Sequence, residues 1–205
     1  MPETPQPAIL TAAVEGLVDE VVVQKLIEYA GGTTGTVYGR QGKPHLRQRI
    51  GGYNRAARYA PWCVLVDLDA DAACAPTLRD EWLPGVAPQL CFRVAVHAVE
   101  AWLLADEEPL ARFLSVRRTG IPANPEQLSD PKRFMIDMAR RSRRRAVRED
   151  MVPRPGSGRR EGPAYTSRLT EFAGTGWRPE VAAERSDSLR RAIRCLRRLV
   201  GASHA

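Results

Sequence analysis

An α/β protein with a mainly parallel central sheet flanked by helices, followed by a helical C-terminal extension, is what this sequence predicts. Short apolar runs alternate with helical patterns through the first half of the chain, the arrangement that builds parallel sheets. Several of these runs stop abruptly at carboxylates: Glu15 and Asp19 after residues 8–14, Asp67, Asp69 and Asp71 after residues 62–66, and Glu100 after residues 90–96. Strand signals end at Asp106, beyond which arginine-rich helical patterns take over.

Element by element, a strand over 8–14 leads into a helix over 18–29, whose apolar Val22, Leu26 and Tyr29 recur at helical spacing. Gly31-Gly32 stops it, and β-branched 33–38 reads as a short strand. A loop over 39–44 precedes a basic helix over 44–58, interrupted or ended early by Gly51-Gly52. Pro61 opens a strand over 62–66, a short helix runs through Leu78, Trp82 and Leu83, and a strand over 89–96 leads into a helix over 97–105. In the extension, 109–114 is a helical turn and 120–130 a proline-broken loop. Asp130-Pro131 opens a helix reaching Val147. A loop over 153–163, containing Pro155-Gly156-Ser157-Gly158, is predicted to be mobile, and helices over 165–172 and 187–200 close the chain. The domain reading is a tail over 1–7, a core over 8–106 and an extension over 107–205 packed on it.

Composition narrows the function classes. The chain has 205 residues, 43% of them hydrophobic and 27% charged, within the range of globular proteins. No apolar stretch approaches the roughly 20 residues of a membrane helix. The N-terminus lacks the basic and apolar regions of a secretory signal, so a cytoplasmic protein without a membrane partner is expected. Cys63, Cys74, Cys91 and Cys195 are widely spaced, which argues for reduced thiols rather than a zinc site. Thirty-one basic residues exceed 24 acidic ones, for a net charge of +7, and the excess gathers after Lys132. A basic half beside a cluster of acids suits a polyanion held near metal ions.

The acids carry the chemistry. In an open parallel sheet, ligands bind beyond the carboxyl ends of the strands, where acids from separate strands converge. In Asp67-Leu68-Asp69-Ala70-Asp71, extended backbone would point Asp67 and Asp69 to one side, and paired carboxylates are readily explained by a cation between them. Asp71 reads as a cap for the next helix. Asp19 falls in the first turn of its helix, where an acid complements the dipole, and Gly16 would permit the tight turn before it. Glu100 shares a helix face with Leu103 and Leu104, so it needs a metal, arginine or backbone partner. Asp106 reads as structural. Hard oxygen donors favour Mg²⁺ or Mn²⁺. Lys43 and Lys132 are candidates to neutralise phosphoryl charge, and Lys43, Arg47, Arg140, Arg141 and Arg144 to contact nucleic acid. His45, His97 and His204 read as structural or terminal.

The segments Val14-Glu15-Gly16-Leu17-Val18-Asp19 and Val64-Leu65-Val66-Asp67-Leu68-Asp69 resemble the toprim domain of topoisomerases, primases and OLD-type nucleases. The acid four residues after the glutamate is closer to the OLD-type pattern. Residues 96–106, Asp130-Pro131-Lys132 and residues 186–191 further resemble a family of small stand-alone bacterial toprim-like proteins. The toprim resemblance covers about residues 8–106, the small-family one most of the chain. It implies a nuclease hydrolysing phosphodiester bonds, of DNA by family precedent, with Glu15, Asp19, Asp67 and Asp69 as Mg²⁺ or Mn²⁺ ligands. Glu100 is then a further ligand, Lys132 stabilises the transition state, and Glu15, Asp67, Asp69 and Lys132 are the catalytic set. It also implies a setting in genome defence against phage, with an ATPase supplied in trans; a homodimer is left open. Neither Tyr53 nor Tyr59 has a topoisomerase nucleophile context.

Competing readings remain open. A P-loop fails because Gly42-Lys43 is followed by Pro44 and the upstream glycine position holds Val37. Asp67-Leu68-Asp69 is similar to the motif of haloacid-dehalogenase phosphatases, but lies on the third strand with Asp71 where that family has Thr or Val. A catalytically inactive toprim-like module binding nucleic acid or protein is the non-enzymatic alternative.

Overall fold

Four strands form one parallel sheet: β1 (Ile9–Val14), β2 (Thr33–Gly39), β3 (Trp62–Asp67) and β4 (Leu90–Ala95), in the order β2-β1-β3-β4. The computed structural model describes residues 7–202; residues 1–6 of the tail expected over 1–7, and His204, lie outside the described residues. Parallel strands need long crossovers, and these are helical: α1 (Leu17–Tyr29), α2 (Lys43–Ala56) and α3 (Ala75–Trp82). Pairing sets Ala12 and Ala13 beside Cys63 and Val64, and Cys63 beside Cys91, so the strands end at one level.

Near-continuous apolar strands are expected where a sheet is covered on both faces. Leu46 and Ile50 of α2 and Leu78 and Trp82 of α3 pack with Val64, Val66, Phe92 and Val94 on one face. On the other, Leu10, Ala12, Leu65 and Cys91 join α1, α4 (Val99–Ala105) and the C-terminal helices in a continuous core. Those are α5 (Glu107–Leu114), α6 (Pro131–Arg140), α7 (Arg145–Met151), α8 (Tyr165–Thr175), the single turn α9 (Pro179–Ala182) and α10 (Asp187–Ala202). The extension thus completes one face of the sheet. Its anchor is α4, every residue of which is buried. Trp102 Nε1 donates to Ser188 Oγ at 2.7 Å, Trp177 Nε1 donates to the Trp102 carbonyl at 3.1 Å, and Arg178 clamps the buried Asp106. Asp106 is structural, as expected.

Two expected helix boundaries are corrected. Gly51-Gly52 does not interrupt α2: burial of Leu46 and Ile50 outweighs the roughly 1 kcal/mol per glycine that helix propensity costs. The helix from Asp130-Pro131 stops at Arg140 rather than Val147. Ser142 is buried there, its Oγ accepting the Arg144 N–H and its carbonyl accepting from Arg148, and these local bonds displace the helical ladder. Among the described residues, no helix is long and apolar enough to cross a membrane.

Candidate functional site

The strand ends and the start of α4 tie four carboxyl groups together. Gly39, at φ +92°, ends β2 so close to β1 that a Cβ there would lie 2.1 Å from the Val14 carbonyl. The chain then folds back, and the Gly42 N–H donates to the Glu15 carbonyl at 3.0 Å. Beyond β1, Glu15 Oε1 accepts the Asp67 N–H at 2.8 Å. Asp67 Oδ1 in turn accepts the Val99 N–H at 2.9 Å, which fixes the first turn of α4 and places Glu100 inward. Asp19 reaches the same space from the first turn of α1. Gly16 serves this differently from the expectation. Its backbone is extended, open to any residue, but a Cβ would stand 3.2 Å from Asp19 Oδ2.

Burial makes this cluster electrostatically uncomfortable. Glu15 is pushed up to about 7, chiefly by desolvation. Asp19 is also pushed up to about 7, by desolvation and then by the charges of Glu15 and Glu100. Burial, then Asp19, Glu100 and Glu15, hold Asp67 well above the carboxylate range. Glu100 is raised by burial, although Lys132 opposes the shift and the Tyr165 hydroxyl donates to its Oε1 at 3.2 Å. Asp19 Oδ1 is buried without a hydrogen-bond partner. Such an oxygen is costly unless something supplies positive charge.

Asp69 departs from the expected arrangement. Its φ is +49°, so the backbone is no longer extended and its carboxylate does not share a side with Asp67. It turns outward, and with Asp71 it grips Lys43 Nζ, at 2.6 and 2.7 Å. Asp71 is therefore an ion-pair partner, and Cys74, not Asp71, stands at the N-cap of α3. Lys43 opens α2 and has only 15% of its side chain exposed.

Near Glu100, Lys132 Nζ lies 2.7 Å from Glu161 Oε2 and 5.4 Å from the Tyr165 ring centroid. Glu100 and Asp67 are close enough to raise its pKa. Tyr165 and Glu161 escaped sequence reasoning. Both lie where the 153–163 loop ends, and nothing local in that loop signals a contact with residues 29 to 65 positions away.

The remaining candidates lie elsewhere. Arg47 pairs with Glu81 on the surface at 2.6 Å and stands over Trp82. Arg140, paired with Asp137, and Arg141 lie at the opposite end of α6 from Lys132, about 12 Å along the helix. Arg144 caps the start of α7.

A hard divalent ion passes the chemical test here: the donors are carboxylate oxygens, and one buried oxygen lacks any partner. Among the described residues, however, no three His, Cys, Asp or Glu side chains already form an ion-holding group. Glu15 and Asp67 each direct an oxygen at a backbone N–H, and four like charges in one space repel. Rotation of these side chains would accompany binding. No family model, curated protein or solved structure matches the chain.

Proposed function

We propose that this chain is a divalent-metal-dependent nuclease that hydrolyses nucleic-acid phosphodiester bonds. The observation that carries the reading is the unpartnered, buried Asp19 Oδ1 among Glu15, Asp67 and Glu100, with Lys43 and Lys132 near members of the cluster. Glu15, Asp19, Asp67 and Glu100 would hold Mg²⁺ or Mn²⁺. When bound, the ion would polarise the scissile phosphoryl group and acidify water at neutral pH. Asp69 is assigned to positioning Lys43 rather than to ligation. Lys43, near Glu15, and Lys132, near Glu100 and Asp67, supply positive charge that would neutralise charge developing on the phosphoryl oxygens. For that, Lys132 must exchange Glu161 for substrate. Asp67 also fixes the site's shape, because its N–H and carboxylate join β1 to α4.

DNA as substrate, a role in genome defence and an ATPase partner in trans belong to this proposal through the toprim resemblance. Incubating the purified protein with end-labelled DNA and either Mg²⁺ or Mn²⁺ tests it. Metal-dependent cleavage that Asp67→Asn lowers at least 100-fold is the expected result. Binding of DNA in EDTA, with no cleavage under any metal, would instead support the non-catalytic module.

A further inference from the structure

β4 is the edge of the sheet, since it pairs with β3 alone. The carbonyls of Gln89, Ala95 and His97 accept from the β3 side, at Trp62, Leu68 and Asp69. Backbone groups alternate along a strand, so those of Phe92 and Val94 face away from β3. No other strand takes them, and both residues, 3% and 7% exposed, line a cavity of about 370 Å³ between the starts of α3 and α10. Phe92 to Val96 presents about 13 Å of this edge, at roughly 3.3 Å per residue.

The two walls differ in chemistry. Phe92, Val94 and Leu68 belong to the apolar face beneath α3, where Pro76 also lines the cavity. Arg93 projects to the α10 side, toward Cys91 and Cys195, and Arg191 of α10 stands beside it. Arg93 Nε is buried with no hydrogen-bond partner, and among the described residues no carboxylate forms an ion pair with it. The acids that line this cavity are already committed. Glu126 accepts from Ser186, Asp187 and Ser188 at the start of α10, and Asp187 is held by Arg190 and Arg191.

We propose that this groove is a docking site for an extended segment of a partner protein in which acidic and apolar side chains alternate, added to β4 as a fifth strand. Main-chain bonds to Phe92 and Val94 would anchor the segment. The period of two in a strand would send its acidic side chains toward Arg93 and its apolar ones toward the α3 wall. A nucleic acid would satisfy the arginine but has no backbone N–H to pair with the edge carbonyls. The groove shares no residue with the carboxyl cluster, so its occupancy is independent of nuclease activity.

A fluorescein-labelled nine-residue peptide alternating glutamate and valine, blocked at both ends, is a direct probe. The full chain is expected to bind it saturably and to gain hydrogen-exchange protection at the Phe92 and Val94 amides. Arg93→Glu should weaken binding at least ten-fold. Val94→Pro should do the same, removing an edge donor without breaking the β3 ladder. Circular dichroism would check that both variants fold, and Arg191→Glu, on the exposed wall, should lose several-fold whether or not they do. Absence of saturable binding to the wild type would overturn the proposal. So would equal binding of the lysine–valine peptide, or displacement of the glutamate peptide by a short oligodeoxynucleotide at lower concentration than by unlabelled peptide.

Discussion

Two groups of acids separated by a few residues of chain live in opposite electrostatic worlds. Asp69 and Asp71 are about half exposed and share Lys43, so their charge is compensated in solvent-accessible surroundings. Glu15, Asp19, Asp67 and Glu100 are drawn inward, and desolvation is the largest influence on each. The outer group needs nothing more. The inner group is held above ordinary carboxylate values, and under the proposed function a cation would supply the missing charge. Acids gathered at strand ends are thus not one set, and their functional weight follows burial rather than proximity in sequence.

The largest expected effect comes from Asp67. Asp67→Asn should lower metal-dependent cleavage at least 100-fold, whereas Asp69→Asn should lower it less than ten-fold, because Asp71 still holds Lys43. Equal losses in parallel assays would erase the distinction between the two groups.

Next comes pH. Protonation of Glu15 and Asp19 is easier in the folded state, since both are raised from ordinary carboxylate values to about 7. Their contribution to stability is therefore fully present below about pH 4 and lost as pH rises through about 7. In EDTA, Tm should fall across that window, and Mn²⁺ should flatten the fall by binding the ionised form. Calorimetry at a series of pH values, with and without Mn²⁺, checks this; a Tm that Mn²⁺ leaves unmoved at pH 8 would count against the site.

Asp19→Asn sharpens the same point. Removing a buried charge should stabilise the metal-free protein at pH 8 by about 1–2 kcal/mol, or roughly 2–8 °C in Tm. It should also weaken Mn²⁺ binding by titration calorimetry. The smallest effect is expected from Lys43→Ala. Both of its partners, Asp69 and Asp71, are about half exposed, so loss of stability should stay within about 1 kcal/mol in urea unfolding.

Much of the fold was legible in the sequence because the strands are short, apolar and punctuated. Pro61, Gly31-Gly32 and the acids after Val14 and Val66 mark boundaries that the structure keeps within a few residues. Glu15, Asp19, Asp67 and Glu100 were legible as a set for the same reason: parallel topology brings strand ends to one level. Asp69 was not, because a left-handed backbone at one residue reverses a side chain that periodicity would place beside Asp67. The break after Arg140 depends on Ser142 finding local partners, and the contacts of Tyr165 and Glu161 depend on long-range packing. No local pattern encodes either.

An anomalous difference map from crystals soaked in Mn²⁺ addresses the central claim most directly. A peak among Glu15, Asp19, Asp67 and Glu100, with Asp19 Oδ1 among its ligands, is the predicted result. A peak confined to Asp69 and Asp71, or none at a Mn²⁺ concentration that saturates the solution response, would contradict the account.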